Sequence, residues 1–276
     1  MKLRFFKMSG AGNDFVLLDA AVLRSCPSLA ARRGLASLAR RLCDRREGIG
    51  ADGLILLSGR SSPQVRYWNA DGSSAFCGNG SRCGAWWAHQ SGWTKAREFA
   101  LRTDAGALRA RITGRERVAI QMPTPGPVSG PRSLRFGGRG LDVYTVHTGT
   151  PHAVAEAADL GRFPVADVGR AIRRHAAFKP AGTNVDFVSF GRREILLRTY
   201  ERGVEDETLA CGTGAAAAAL VGLHRGLYRS PVSVRAKSGA LLRVGLKNAA
   251  AAGSHRSSEL WLEGPARTVY QGEISL

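Results

Sequence analysis

Cys77-Gly78-Asn79-Gly80-Ser81 and Cys211-Gly212-Thr213-Gly214-Ala215 are two copies of one local pattern, a cysteine opening a glycine-rich turn that runs into small residues readable as a helix. One offset of 134 relates them (211 − 77), and it also aligns Gly48 with Gly182, Asp52 with Asp186 and Gly92 with Gly226. Residues 48–56 and 182–190 both read as a turn feeding a buried strand. A register held over that length predicts internal duplication into two similar half-domains.

Working outward, short apolar runs at 15–18, 54–57, 118–120 and 195–197 read as strands, and 29–43, 83–91, 168–177 and 215–224 read as helices. The fold expected is α/β (α+β), each half a sheet with one or two helices. Pro123-Thr124-Pro125-Gly126-Pro127 and the stretch through Gly140 carry turn residues in place of a period, which puts the inter-domain connection there. The half-domains then run 1–122 and 123–265. Residues 118–123 parallel 260–265, and the chain goes on to one more apolar stretch at 269–274, so that 266–276 is expected to cross back and complete the first half. Residues 249–258 read as an insertion in a hairpin.

Composition narrows the function classes. A chain of 276 residues with 44% hydrophobic content can bury two cores of ordinary size. No apolar run approaches the roughly 20 residues that span a bilayer, and the start Met1-Lys2-Leu3-Arg4-Phe5-Phe6-Lys7 lacks a signal-peptide core. A cytoplasmic protein with no membrane partner follows. Five cysteines without C-x-x-C spacing fit neither a disulfide framework nor a zinc ribbon, so reduced thiols and no metal are expected. The net charge of +18 invites a nucleic-acid reading. Lysine, however, occupies only six positions, and arginine is spread along the chain beside alanine and glycine. Clusters such as Arg40-Arg41, Arg45-Arg46 and Arg173-Arg174 read as solvated helix faces, and no nucleic-acid partner is expected.

The paired turns carry a chemistry. A cysteine at a helix N-terminus meets backbone N–H groups and the positive end of the helix dipole, which favour thiolate. The following glycines let backbone N–H groups approach a carboxylate closely. Two such turns facing one carbon would supply what inversion of a stereocentre needs, a base on one face and an acid on the other. A nucleophilic cysteine hydrolase would need a single thiol with a histidine partner. The carbanion would be stabilised by N–H dipoles arranged around the carboxylate.

At the level of motifs, the chain resembles the diaminopimelate epimerase family, cofactor-independent enzymes that interconvert LL- and meso-diaminopimelate in lysine and peptidoglycan precursor synthesis. The resemblance rests on residues 7–16 (KMSGAGNDFV), 48–53 (GIGADG), 69–73 (NADGS), 77–83 (CGNGSRC), 149–152 (GTPH), 182–184 (GTN), 200–203 (YERG) and 208–214 (TLACGTG), in that order. It implies two pseudo-symmetric domains, each a barrel-like sheet around a central helix, with the active site in the cleft between them. It implies Cys77 and Cys211 as the acid–base pair, and no cofactor. The N–H groups of Gly78, Asn79, Gly212 and Thr213, with Asn13, would hold the reacting carboxylate end. Asn69, Asn184, Glu201 and Arg202 would hold the distal amino-acid end, and His152 and Glu201 would stand near the thiols as catalytic support. The partner implied is the small-molecule substrate, and a homodimer is compatible with it. Three departures stand out: Thr150 where some members carry asparagine before the Pro-His pair, Gly53 where some carry glutamine, and the strong basicity of the chain. A proline racemase or hydroxyproline epimerase shares the two-cysteine logic, but a cyclic imino acid has no distal amino-carboxylate to occupy Asn69, Asn184 and Arg202. Cys26, Cys43 and Cys83 read as packing residues.

Overall fold

The computed structural model describes residues 2–24, 32–136, 138–247 and 259–276. Cys26, the start of the expected helix at 29–31 and the insertion at 249–258 lie outside the described residues. The chain divides into two compact units, Met1–Ile120 with Gly264–Leu276, and Gln121–Glu263.

The first unit is a sheet running, neighbour to neighbour, through Arg267–Ser275, Lys2–Gly10, Asn13–Asp19, Gly53–Ser58, Gln64–Asn69, Glu98–Thr103, Gly106–Gly114 and Arg117–Gln121. Its pairings are antiparallel except at the third and fifth junctions, Asn13–Asp19 with Gly53–Ser58 and Gln64–Asn69 with Glu98–Thr103. The second unit repeats that order with Ser129–Phe136, Arg139–His147, Pro151–Glu156, Asn184–Phe190, Ile195–Glu201, Val232–Arg235, Leu241–Lys247 and Glu259–Pro265. Its parallel junctions are again the third and the fifth. One eight-strand topology has been used twice, and the second unit adds the short strand Asp206–Thr208, antiparallel to Ile195–Glu201.

Among the described residues four α-helices complete the units: α1 (Arg32–Cys43), α2 (Gly78–Gln90), α3 (Val165–Arg173) and α4 (Gly212–His224). Helices α2 and α4 are the central ones; α2 touches seven strands of its sheet and α4 touches six of its own. In α4 the run from Ala215 to Val221 has no exposed surface, because only small side chains let a helix sit that deep inside a curled sheet. In α2 the same constraint falls on Gly84, where a Cβ would stand 2.4 Å from Val65 Cγ2. Helices α1 and α3 cover the outer faces. Leu35, Leu38 and Leu42 of α1 pack with Val16, Leu18, Leu54, Leu56 and Trp68, and Val165, Val168 and Ile172 of α3 pack with Val185, Phe187 and Tyr200. Each fully buried leucine contributes about 2 kcal/mol.

The strand period of two then decides where chemistry points. In Gly53–Ser58, Leu54 and Leu56 join the outer cluster while Ile55 and Leu57 approach the central helix at Gly80 and Gly84. In Asn184–Phe190, Val185 and Phe187 face α3, which leaves Asp186 on the opposite face, against the first turn of α4.

Three local expectations change. Helices α2 and α4 begin at Gly78 and Gly212, so the glycine-rich residues are their first turns and not a preceding loop. The cysteine side chain at the N-cap, which takes an N–H of that turn, makes this possible. The region through Gly140 holds a strand, Ser129–Phe136, paired with Arg139–His147. It is mostly exposed, and so shows no apolar period. Arg45 lies beyond the end of α1 and is not on a helical face; it pairs with Asp14 and Asp52.

Candidate active site

In the first unit Cys77 is the N-cap of α2. Its backbone is extended (φ −129°, ψ 110°) and its Sγ accepts the Gly80 N–H at 3.3 Å. The carbonyl of Cys77 takes the Ser81 N–H at 2.8 Å. Helix geometry leaves the N–H groups of Gly78 and Asn79 without intrahelical acceptors. Cys77 is half-buried.

Behind this turn runs a chain of amides. The Asn79 side chain donates to Asn13 Oδ1 at 2.6 Å, and Asn13 Nδ2 donates to Asp52 Oδ2 at 2.9 Å. Asp52 also accepts from Arg45 at 2.7 Å. Next to it, Asp14 is held at about 2: burial would raise it, but hydrogen bonds from Arg45 and Lys7 outweigh that. At the other end of the chain, Asn79 Oδ1 accepts from Arg82, which is completely buried. Nε and Nη1 of Arg82 meet no acceptor among the described residues. Burial lowers Arg82 to about 10, and the Cys83 and Cys77 sulfurs act in the opposite direction. Asn69 closes a tight turn, its amide donating to Ser73 Oγ at 2.9 Å and its backbone N–H to Ser73 O at 2.8 Å.

The second unit builds the same cap on α4. Cys211 (φ −119°, ψ 113°) accepts the Gly214 N–H at 3.4 Å, and Thr213 Oγ1 lies 3.3 Å from its sulfur. Cys211 is 5% exposed. Burial pushes its thiol well up, the Glu201 and Asp186 carboxylates add to this, and the bonds to Thr213 and Gly214 oppose it. Burial likewise raises Glu201, against a lowering influence from His152. His152 is buried, with Nδ1 2.6 Å from Asp186 Oδ2 and Nε2 3.0 Å from Thr150 Oγ1. Asp186 Oδ1 accepts from the Thr199 hydroxyl at 2.7 Å.

Asn184 is saturated within its own unit. Its Nδ2 donates to Thr150 Oγ1 and Pro151 O, both at 3.2 Å, and its Oδ1 accepts the Arg202 backbone N–H at 2.8 Å. Arg202 Nη1 reaches Ala181 O at 3.2 Å. In the second unit, then, Cys211, Gly212, Thr213, His152, Asn184, Glu201 and Arg202 gather around the start of α4. In the first, Cys77, Gly78, Asn79 and Asn13 gather around the start of α2, while Asn69 stands in its own turn.

Sequence reasoning missed Arg82, Asp186, Thr148 and Thr199. Asp186 was visible as one of the landmarks on the 134-residue offset, and Arg82 lies inside the quoted CGNGSRC stretch. What was not visible is that a Cβ on Gly214 would stand 2.4 Å from Asp186 Oδ1, which is how closely the helix start approaches that carboxylate. Cys83 and Cys43 are buried, and burial raises each to about 12, as packing residues should be. Among the described residues no group of three or more His, Cys, Asp or Glu side chains could hold a metal ion, and no helix is long and apolar enough to cross a membrane.

Known proteins share both the sequence and the fold. The family model for diaminopimelate epimerase matches residues 5–127 and 144–252. The diaminopimelate epimerase of Chlorobaculum tepidum is 40% identical over 279 residues, covering 98% of this chain and all of the relative, and that of Aquifex aeolicus is 37% identical, covering 99% and 98%. Among solved structures, a probable proline racemase from Agrobacterium radiobacter superposes with a TM-score of 0.71 at 18% identity, over 99% of this chain and 93% of that one. A phenazine biosynthesis protein of the PhzF family from Bacillus anthracis gives 0.72 at 13% identity over the whole of both chains. Those two likenesses establish a shared two-domain α+β fold and nothing of the substrate. The full-length sequence matches, together with the paired cysteine caps, make this chain a member of the diaminopimelate epimerase family.

Proposed function

We propose that this chain interconverts LL- and meso-diaminopimelate by moving a proton at one α-carbon, with Cys77 and Cys211 as the two proton carriers and neither pyridoxal phosphate nor a metal required. The observation that carries the reading is the repeated cap: in a chain of this family, each unit sets a cysteine at the N-terminus of its central helix with its Sγ on a backbone N–H. A thiolate there removes the α-proton and a thiol delivers one to the other face. The N–H groups of Gly78, Asn79, Gly212 and Thr213 stabilise the charge that develops on the carboxylate. Asn13 supports the reacting end. Asn69, Asn184, Glu201 and Arg202 select the distal amino-carboxylate, where an arginine fork suits a carboxylate. As a biosynthetic enzyme on a free amino acid, it works in the cytoplasm.

The local charges differ between the two thiols. Buried Arg82 attracts charge on Cys77, whereas Cys211 stands among carboxylates that oppose it.

The test is incubation of LL-diaminopimelate with reduced protein in deuterated water. Deuterium should enter at the reacting α-carbon as the meso isomer forms. Cys77→Ala and Cys211→Ala should each abolish epimerisation while Cys83→Ala retains it. Turnover of proline with none of diaminopimelate would replace this reading by the imino-acid one, and equal loss in all three variants would remove the thiols' special role.

A further inference from the structure

A two-base epimerase leaves each turnover with its thiols in swapped protonation states, and must restore them before the next. Cys77 is half-buried, but Cys211 is 5% exposed, so its proton needs a route. We propose that the hydroxyls of Thr213 and Thr150 form a relay that carries a proton between Cys211 and the His152–Asp186 pair, making Thr150 a positioning and proton-passing residue of the reaction. This rests on the epimerase reading above.

The hydrogen-bond inventory is consistent with one direction of donation at a time. Asp186 presents Oδ2 to His152 Nδ1 at 2.6 Å while Thr199 occupies its Oδ1, so neutral His152 carries its proton on Nδ1 and offers Nε2 as an acceptor. Thr150 Oγ1 lies 3.0 Å from Nε2, which Asn184 Nδ2 also approaches at 3.4 Å. Thr150 accepts from Asn184 Nδ2 at 3.2 Å, and its hydroxyl donates to Thr213 Oγ1 at 3.4 Å. Thr213 Oγ1 lies 3.3 Å from the Cys211 sulfur, and either atom can donate. Thr213 is itself held in place by the fully buried Thr148, whose hydroxyl donates to Thr213 O at 3.0 Å.

Transfer toward His152 requires the two hydroxyls to turn, so that Thr213 donates to Thr150 and Thr150 to His152 Nε2. The Cys211 S–H bond breaks and its proton passes to Thr213 Oγ1; the former Thr213 proton passes to Thr150 Oγ1, and the former Thr150 proton passes to His152 Nε2. Thiol and imidazole become thiolate and imidazolium, with no change in total charge, and each hydroxyl ends with one proton. Asp186 stabilises the imidazolium, and Glu201 is the other acidic group acting on both Cys211 and His152. The amide of an asparagine at 150 would not pass a proton on as a hydroxyl does. His152, though its side chain is buried, belongs to the wall of a cavity of about 520 Å³ that is also lined by His147, Phe178 and Thr183.

The experiment uses full-length Thr150→Val and Thr150→Ser, assayed in both directions with LL- and meso-diaminopimelate. If the relay resets the enzyme, Val slows a step that lies outside substrate capture: kcat falls about tenfold, KM falls with it, and kcat/KM stays within about twofold of the parent. Small imidazole buffers should restore part of the lost kcat, and Thr150→Ser should behave as the parent does. A structural defect would lower kcat/KM instead. A fall in kcat/KM matching that in kcat, or unchanged kcat and KM in Thr150→Val, overturns the relay. Failure of the parent protein to epimerise diaminopimelate at all would instead overturn the functional reading.

Discussion

Arg82 offers a test in which stability and activity should move in opposite directions. Its guanidinium is completely buried, donates to Asn79 Oδ1, and has two nitrogens without acceptors. Burial lowers it from its usual 12.5 to about 10. It is still charged at neutral pH, and at about 1.4 kcal/mol per pH unit the unfavourable burial amounts to about 3 kcal/mol. Arg82→Met keeps most of the volume and removes the charge, while Asn79 Oδ1 loses a donor at a cost of about 1 kcal/mol. The net gain of about 2 kcal/mol should raise the melting temperature on the order of 5 °C. The same charge lies where it attracts a Cys77 thiolate. Its loss should cut the rate of Cys77 alkylation by iodoacetamide at neutral pH about tenfold, and the epimerisation rate with it. Calorimetry and mass-spectrometric alkylation kinetics check the two halves. A lower melting temperature with unchanged Cys77 reactivity would refute the reasoning, and would mean that Arg82 serves packing alone.

Gly214→Ala should be costly despite alanine's better helix propensity, because its Cβ would meet Asp186 Oδ1 at 2.4 Å and Thr199 Oγ1 at 3.0 Å. About 1–3 kcal/mol of overpacking is expected by denaturant titration, with a larger loss of activity than in Gly78→Ala, whose Cβ meets only Ile120 at 3.5 Å. Asp14, held at about 2 against a usual 3.8, adds stability above pH 4 that disappears as pH falls through 2. After allowance for screening of a side chain that is 28% exposed, this is about 1 kcal/mol, and Asp14→Asn should flatten that acid limb of a pH-stability curve.

The duplication was legible because it rests on a numerical register. The two central helices, Gly78–Gln90 and Gly212–His224, stand 134 residues apart at both ends. The strands were legible where burial produced apolar runs, as in Gly53–Ser58, and illegible where it did not, as in the exposed Ser129–Phe136. The helix starts were misread for a physical reason. Glycine is a poor helix former, and only the cysteine cap together with burial inside the sheet makes Gly-Asn-Gly and Gly-Thr-Gly the first turns of helices. The polar residues behind the caps were hidden differently. Asp186 and Thr199 lie on neighbouring strands 13 residues apart, and their contact with each other and with Gly214 comes from strand pairing, which no local pattern announces.

Duplication also supplies the control for the charge argument. The 134-residue offset that carries Cys77 to Cys211 carries Arg82 to Ala216, so one copy of the helix keeps a buried cation one turn beyond its cysteine where the other has a methyl group. The backbone cap is the same in both copies, with Sγ to N–H distances of 3.3 and 3.4 Å, so the helix dipole and the N–H bond act alike on the two sulfurs. The charges acting on the two sulfurs differ: Arg82 attracts charge on Cys77, whereas Glu201 and Asp186 oppose it on Cys211. The caps are equal, and the charges around them are not. That inequality is what a reaction needs when it begins with a base on one side and an acid on the other.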